Sequence, residues 1–450
     1  MDFNSSKDLP RKLGLFPVTN IVIANMIGAG IFTTSGLLMQ DLGSPLLMVS
    51  LWVVGGLIAL CGAFCYGELG ATIPQAGGEY IYLSKLFHPI SGFLSGWVSF
   101  FVGFSAPIAM SAMGFSEYFT RAFPGTLEWG DPEILKKLYS VLIIVIFTII
   151  HLRGIEFGSK IQNYLTIVKV VLIVGLIFIG FSFGKGDIGN LFQGTQTYFD
   201  FGSIKTIGLS LMWIMFAYAG WNASAYIGSE IKNPSRNLPF SLILGTCIVT
   251  ILYFGLNLLY VYSVDPENMK GVLAIGGLAA ENLFGRSLET IFSMLISFAL
   301  FSSLSAFIIL GPRVYYSMAK DGYFFKFASE IHPVFKVPSK SIIIQCIIAV
   351  IFVLSGTFDQ ILTYMGFSLG IFPILAVIGV FKLRKHKQSV IKMPGFPYIP
   401  ILYLIPSILI LVLAYFERPV ESTIAVLTVI LGIPVYYFLK NKYKTRRELS

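Results

Sequence analysis

The chain has 450 residues, 55% of them hydrophobic and only 12% charged, with a mean hydropathy of +0.78 and a formal net charge of +9. A soluble globular domain is about 25% charged, so this composition excludes one and describes a chain that lives in lipid. The positive balance requires no nucleic-acid partner, because the basic residues sit in the connections between apolar runs, where membrane topology accounts for them.

Residues 1–14 are polar and lead directly into the first apolar run, so no cleavable signal is expected. Nearly charge-free runs then follow one another, each long enough to cross a bilayer as a helix. They predict twelve spans, at 15–40, 45–68, 90–120, 136–152, 161–183, 205–228, 238–263, 288–318, 340–356, 360–381, 400–416 and 421–439. The runs do not alternate as β-barrel strands do. The fold class is therefore an all-α polytopic membrane protein. Most of the 32 Lys and Arg residues fall on the side that holds both termini, including Lys7, Arg11, Arg153, Lys232, Arg384 and the basic tail 441–450. That side is expected to be cytoplasmic, with the tail beside anionic lipid head groups in a cell membrane.

Two spans are interrupted by glycine. The first reads Ile27-Gly28-Ala29-Gly30-Ile31, and the second Phe216-Ala217-Tyr218-Ala219-Gly220-Trp221-Asn222. A mid-membrane break frees backbone donors and acceptors, and survives only where it is buried in protein or lines a cavity. Each break opens a set of five spans, one over 15–184 and one over 205–382. An odd number of spans per unit makes the two copies insert in opposite directions, the inverted-repeat plan with its site at the interface. The two spans over 398–440 stand outside the repeat. A helix stub after a break presents N–H groups and a positive dipole end, and the stub before it presents carbonyls. The N–H groups of Ala29, Gly30 and Ile31 suit a carboxylate. The carbonyls near Ile27 and Phe216–Tyr218 suit an ammonium, so a zwitterionic amino acid satisfies both sets. Glycine at 28 and 30 is expected to let the ligand approach the main chain.

The strings IGAGIF, FAYAGWN, GELGATIPQAGGEYIYL (67–83), SEIKNPSRNLP (229–239) and LGPRVYYSMAKDGYFF (310–325) together resemble the amino acid–polyamine–organocation superfamily, above all its L-type amino-acid transporter branch. The resemblance covers roughly residues 12–440. It implies a LeuT-type fold of twelve transmembrane helices with discontinuous helices 1 and 6. It also implies alternating access and transport of L-amino acids, often by exchange and without sodium. On this resemblance the main chain from Ile27 to Ile31 holds the amino-acid head group and Phe216 closes over it. Ala219 lets the side chain pass, and Asn222 lies just beyond the unwound stretch. Asn257 and Tyr260 match a polar pair of the seventh span. Ala29 stands where some members have Ser.

Lys169 lies deep in the fifth span, where a charge costs about 2.5–3.5 kcal/mol on insertion scales and is usually functional. The resemblance matches it to a lysine that takes the place of a bound ion in sodium-coupled relatives. An ammonium there would repel Na⁺ and bond the unwound first-span carbonyls itself, so two roles follow: a fixed surrogate cation in an exchanger, or a proton carrier in a symporter. Neither broken segment carries an acidic side chain, so small or medium neutral amino acids are the expected substrates. A cationic amino-acid or polyamine carrier is the alternative.

Other polar residues receive simpler readings. Glu68, Glu79, Lys85, Glu230, Lys232 and Arg236 are expected on cytoplasmic loops, as an inner gate or as solvated charges. Glu117 and Glu289 are expected within reach of water at outer span ends. His88, His151, His332 and His386 are expected at span ends or in loops. Cys61, Cys65, Cys247 and Cys346 fall within spans, so neither a metal site nor a disulfide-linked subunit is expected. No cofactor motif appears. No convergent set of catalytic side chains supports a membrane enzyme, and two matched breaks framing one site argue against a channel.

Overall fold

The computed structural model describes residues 11, 13–153, 155–193, 200–335 and 337–448, with side chains described for these except 155–163, 287, 313 and 442–448. The expected tail 1–14 lies mostly outside the described residues, whereas 441–448 of the expected tail 441–450 continue the last helix. Seventeen α-helices follow in chain order. The first six are α1 (Leu15–Met26), α2 (Ala29–Leu42), α3 (Pro45–Thr72), α4 (Glu79–Leu86), α5 (Pro89–Val98) and α6 (Ser105–Ala122). Then come α7 (Pro132–Leu152), α8 (Ile155–Phe183), α9 (Phe201–Ala217), α10 (Pro234–Ser263), α11 (Pro266–Met269) and α12 (Ile275–Phe284). The last five are α13 (Arg286–Lys320), α14 (Ser339–Ser355), α15 (Phe358–Lys385), α16 (Tyr398–Glu417) and α17 (Pro419–Glu448). Among the described residues there is no β-strand, only isolated bridges such as Leu13 with Ile231 and Ala76 with Ile227.

Ten helical stretches are long and apolar enough to cross a membrane, and Phe201–Ala217 and Ser339–Ser355 are shorter apolar helices. The chain is thus an all-helical, multi-pass membrane protein. Helix ends follow local chemistry. Gly43, at φ 60°, ends α2, and Ser44 and Pro45 start α3 at once. Asp131 caps α7 ahead of Pro132. Asp200 caps α9, and hydrogen bonds from Ser203 hold its carboxyl below the ordinary range.

Burial sorts the helices. In Pro89–Ala122 and Leu15–Leu42, 78% and 67% of the most apolar window is buried, against 28% in Pro132–Leu152 and in Pro419–Asn441. The first two are central. The latter two are peripheral and turn Leu138, Leu142, Ile149, Leu427 and Leu431 outward, an apolar face suited to acyl chains. α10 packs along α3 and α1, α13 along α6, and α2 and α16 against α9. Between α5 and α6 the helix widens into a π-turn over Ser99–Gly103. Pro107 has no N–H for the Gly103 carbonyl, and such a loss is relieved by local rewinding. Ser105 Oγ donates to the Phe100 carbonyl, 3.1 Å away.

The sixth span departs from the expected 205–228. Its α-helix stops at Ala217, and the chain continues through turns and short 3-10 pieces at Ala223–Tyr226 and Gly228–Glu230 before α10 begins. No α-helical stub follows the second break. Gly220 sits at φ +102°, which turns the chain out of helix. The tight 3-10 turns then satisfy the backbone locally. The residues before α1 are pinned to this stretch: Leu13 donates to the Glu230 carbonyl and accepts from Lys232 N–H.

His151 lies at a span end as expected, and Glu289 and Glu79 differ from their expected settings. His151 is buried on α7 with its Nε2 3.0 Å from Ser305 Oγ. Glu289 is buried and lies 2.9 Å from Arg121, which also pairs with Glu281, so its carboxylate is neutralised within the protein instead of by water. Glu79, expected as a loop charge, is buried at the start of α4.

Candidate functional site: a cavity between two backbone breaks

At the first break, α1 ends at Met26, and Ile27 and Gly28 leave helical geometry before α2 starts at Ala29. The freed carbonyls are largely accounted for. Gly28 N–H donates to the Met26 carbonyl at 2.8 Å. The Ile27 carbonyl accepts from Lys169 Nζ at 2.5 Å and from Ser303 Oγ at 3.0 Å, so both of its lone pairs are used. Lys169 also donates to Ser303 Oγ at 2.9 Å. The expected role of the Ile27 carbonyl as an ammonium acceptor therefore fails: a resident ammonium, from α8, already fills it. At the other side of the break no side chain caps α2, and the first-turn N–H groups of a helix have no partner within the helix.

At the second break the chain closes on itself. Ala219 N–H donates to the Phe216 carbonyl at 2.7 Å, Trp221 N–H to the Tyr218 carbonyl at 3.3 Å, and Ala223 N–H to the Gly220 carbonyl at 2.9 Å. Tyr253 on α10 links the two breaks. Its hydroxyl lies 2.6 Å from the Met26 carbonyl and 3.0 Å from the Ala217 carbonyl and shares its proton between them.

The two breaks line one cavity of about 150 Å³, room for a small solute with some water. Gly28, Ala29 and Gly30 contribute from the first, and Phe216, Ala217, Ala219, Gly220, Trp221 and Asn222 from the second. The π-turn adds Ser99 and Gly103, and α15 adds Leu369 and Pro373 around the carbonyl that Pro373 leaves without its helical donor. Ile27, Ile31, Tyr218 and Tyr260 do not reach the cavity. The first two are fully buried, and Tyr218 donates to the Trp52 carbonyl at 3.0 Å. The buried Tyr260 hydroxyl has no partner among the described residues. Asn257 accepts from Ser35 at 2.6 Å, away from the cavity.

The glycines play different parts from those expected. A Cβ on Gly30 would lie 2.7 Å from Ala217 Cα and Cβ, so helix–helix approach requires this glycine, not ligand approach. A Cβ on Gly220 would meet the Asn25 main chain at 2.8 Å. A Cβ on Gly28 would make only ordinary contacts, 3.9 Å from the Met26 carbonyl oxygen and 4.0 Å from Ser303 Oγ.

Sequence reading missed Tyr253, Ser303 and, above all, Glu79. Its carboxylate lines the cavity and accepts hydrogen bonds from Tyr66 at 2.8 Å, from Asn222 at 2.5 Å and from Tyr226. The broken segments carry no acidic side chain, as expected, but the cavity does. The acidic group comes from α4, outside either broken segment. Of the loop charges grouped with it, Glu68 is instead bound by Arg384, Ser389 and the Met393 N–H, away from the cavity. Among the described residues no cluster of three or more His, Cys, Asp or Glu side chains could hold a metal ion, and the four cysteines are free thiols.

Comparison with known proteins agrees with this architecture. Residues 13–437 match the amino acid permease family. The chain is 28% identical to the b(0,+)-type amino acid transporter 1 of Mus musculus, over 97% of this chain and 89% of that protein. It is 30% identical to the serine/threonine exchanger SteT of Bacillus subtilis, over 96% and 98%. It is 28% identical to the cystine/glutamate transporter of Homo sapiens, over 95% and 85%. The chain belongs to the amino acid permease family, within the amino acid–polyamine–organocation superfamily, and is an amino-acid transporter.

Proposed function

We propose that the chain is a sodium-independent secondary exchanger of L-amino acids that works by alternating access in the cell membrane, with both termini cytoplasmic. The observation that carries this reading is the single cavity walled by both backbone breaks. The substrate carboxylate sits at the uncapped start of α2, on the N–H groups of Ala29 and Gly30, which line the cavity where Ile31 does not. Its ammonium takes carbonyls that the breaks leave open, at the end of α1 around Asn25 and on the second lone pair of Phe216. Phe216, Phe307, Leu310 and Phe372 give the side chain an apolar wall, which suits small and medium neutral amino acids. Phe216 closes over the bound substrate.

The rocking bodies in this reading are two inverted five-helix repeats, over 15–184 and 205–382, in a LeuT-type arrangement of twelve spans with 398–440 added outside. Lys169 serves as a fixed cation that holds the Ile27 carbonyl where a metal ion would otherwise be needed. No disulfide-linked subunit takes part.

The test is exchange in proteoliposomes, with twenty amino acids offered against preloaded leucine, with and without Na⁺ and a pH gradient. Saturable counter-flow of neutral amino acids in the absence of Na⁺ and of any gradient is expected. A strict Na⁺ requirement would overturn the reading. Net uptake that follows an imposed pH gradient would assign Lys169 to proton carriage instead of a fixed role.

A further inference from the structure

Among the described residues three carboxylates are buried to less than a tenth exposure: Glu68, Glu79 and Glu289. Burying an uncompensated charge is expensive, so buried carboxylates normally keep a cation beside them. Two of the three obey. Arg384 holds Glu68 through Nε at 2.8 Å and Nη2 at 2.5 Å, and Arg121 lies 2.9 Å from Glu289. Glu79 has no basic group within ion-pair distance among the described residues. Its partners, Tyr66, Asn222 and Tyr226, are neutral donors. Both of its oxygens accept hydrogen bonds. It is also the one charged residue in the wall of the cavity.

Pairing is absent where a ligand can reach and present where it cannot. We propose that Glu79 determines side-chain charge preference: it gives the transport cavity a fixed negative charge that admits amino acids with a cationic side chain alongside neutral ones and turns acidic ones away. The surroundings match that class of ligand. Trp221, Tyr226 and Tyr403 line the cavity with Glu79, and aromatic faces attract an ammonium or guanidinium. A low-dielectric wall strengthens both the attraction and the repulsion. The three neutral donors orient the carboxylate and bring no positive charge to it. This inference rests on the transporter reading above and adds a specificity residue to it.

The test is competition in proteoliposomes. Labelled leucine exchange is challenged with arginine, lysine and glutamate, for the wild type and for Glu79→Gln, with Tyr226→Phe as a variant that removes one hydrogen bond but no charge. In the wild type arginine and lysine should compete at least tenfold better than glutamate. In Glu79→Gln that preference should fall at least tenfold, whatever the absolute rate, and in Tyr226→Phe it should stay within twofold. An unchanged ratio in Glu79→Gln, or an equal loss of ratio in Tyr226→Phe, overturns the proposal. If Glu79→Gln does not exchange, thermal unfolding of the purified variant decides. Stabilisation by leucine but not by arginine supports the assignment, and equal stabilisation by both, or by neither, overturns it. Absence of leucine exchange in the wild type would sink the transporter reading, whereas intact leucine exchange with an unaltered ratio would sink only this inference.

Discussion

The two backbone breaks solve the same problem by opposite means. At the first, helix resumes after two residues, and the stranded Ile27 carbonyl is filled from outside by a buried ammonium and a hydroxyl. At the second, helix does not resume, and the Phe216, Tyr218 and Gly220 carbonyls are satisfied by successive local turns, with Tyr253 reaching only Ala217 from outside. The first break thus depends on distant side chains, Lys169 on α8 and Ser303 on α13. The second depends on local conformation. A mid-membrane interruption can therefore be held open by tertiary contacts or by turn geometry, and the two kinds should fail differently under mutation.

The largest effect is expected at Gly220. Valine there must adopt a positive φ and displace the Asn25 main chain, and these together should cost about 3 kcal/mol of stability, read as a lowered thermal midpoint in detergent. An unshifted midpoint would break the claim that conformation holds the second interruption. Lys169→Met should instead slow exchange about a hundredfold, matching about 3 kcal/mol of charge-assisted hydrogen bonding. Ser303→Ala should slow it only a few-fold, because Lys169 still covers Ile27. Equal losses in the two variants would show that the charge is not what matters at the first interruption.

Gly28→Ala comes next. The added methyl makes only ordinary contacts, so stability should move by less than about 0.5 kcal/mol, while exchange falls about tenfold because the methyl occupies substrate volume. Unimpaired exchange would place the substrate elsewhere. Tyr253→Phe removes the hydroxyl that both interruptions share, and should lower stability by about 1 kcal/mol. No change would mean that the two sites are not tied through α10.

Much of this was legible in the primary sequence, and for physical reasons. Spans are set by apolar length, so the expected 45–68 and 340–356 fall close to Pro45–Thr72 and Ser339–Ser355. The first break was readable because a second glycine-interrupted run stands at the matching place of the other half; one such cluster alone is commonly a helix-packing point. The continuation of the second was not. Helix and tight 3-10 turns differ in hydrogen-bond closure, which residue types around Trp221 do not reveal. Glu79 was read as a loop charge because its partner Asn222 lies 143 positions away and its burial comes from three elements converging. Lys169 was expected to bond the unwound first-span carbonyls and does so at Ile27; what was not readable is that Lys169 and Ser303 together leave that carbonyl nothing for a ligand. Gly30 was correctly marked as necessary, but for the wrong neighbour: a contact with Ala217 is a property of two helices, not of one string.

That contact carries a mechanical consequence. α2 and α9 meet where a bare Cα faces a methyl-bearing residue, with no room for even one more carbon. Surfaces without projecting side chains have no knobs to lift out of holes when they turn, so rolling one helix over the other forfeits little dispersion energy. The tightest point between the two interrupted helices is thus also the smoothest. In the alternating-access cycle proposed above it would serve as a low-friction fulcrum between the walls of the cavity.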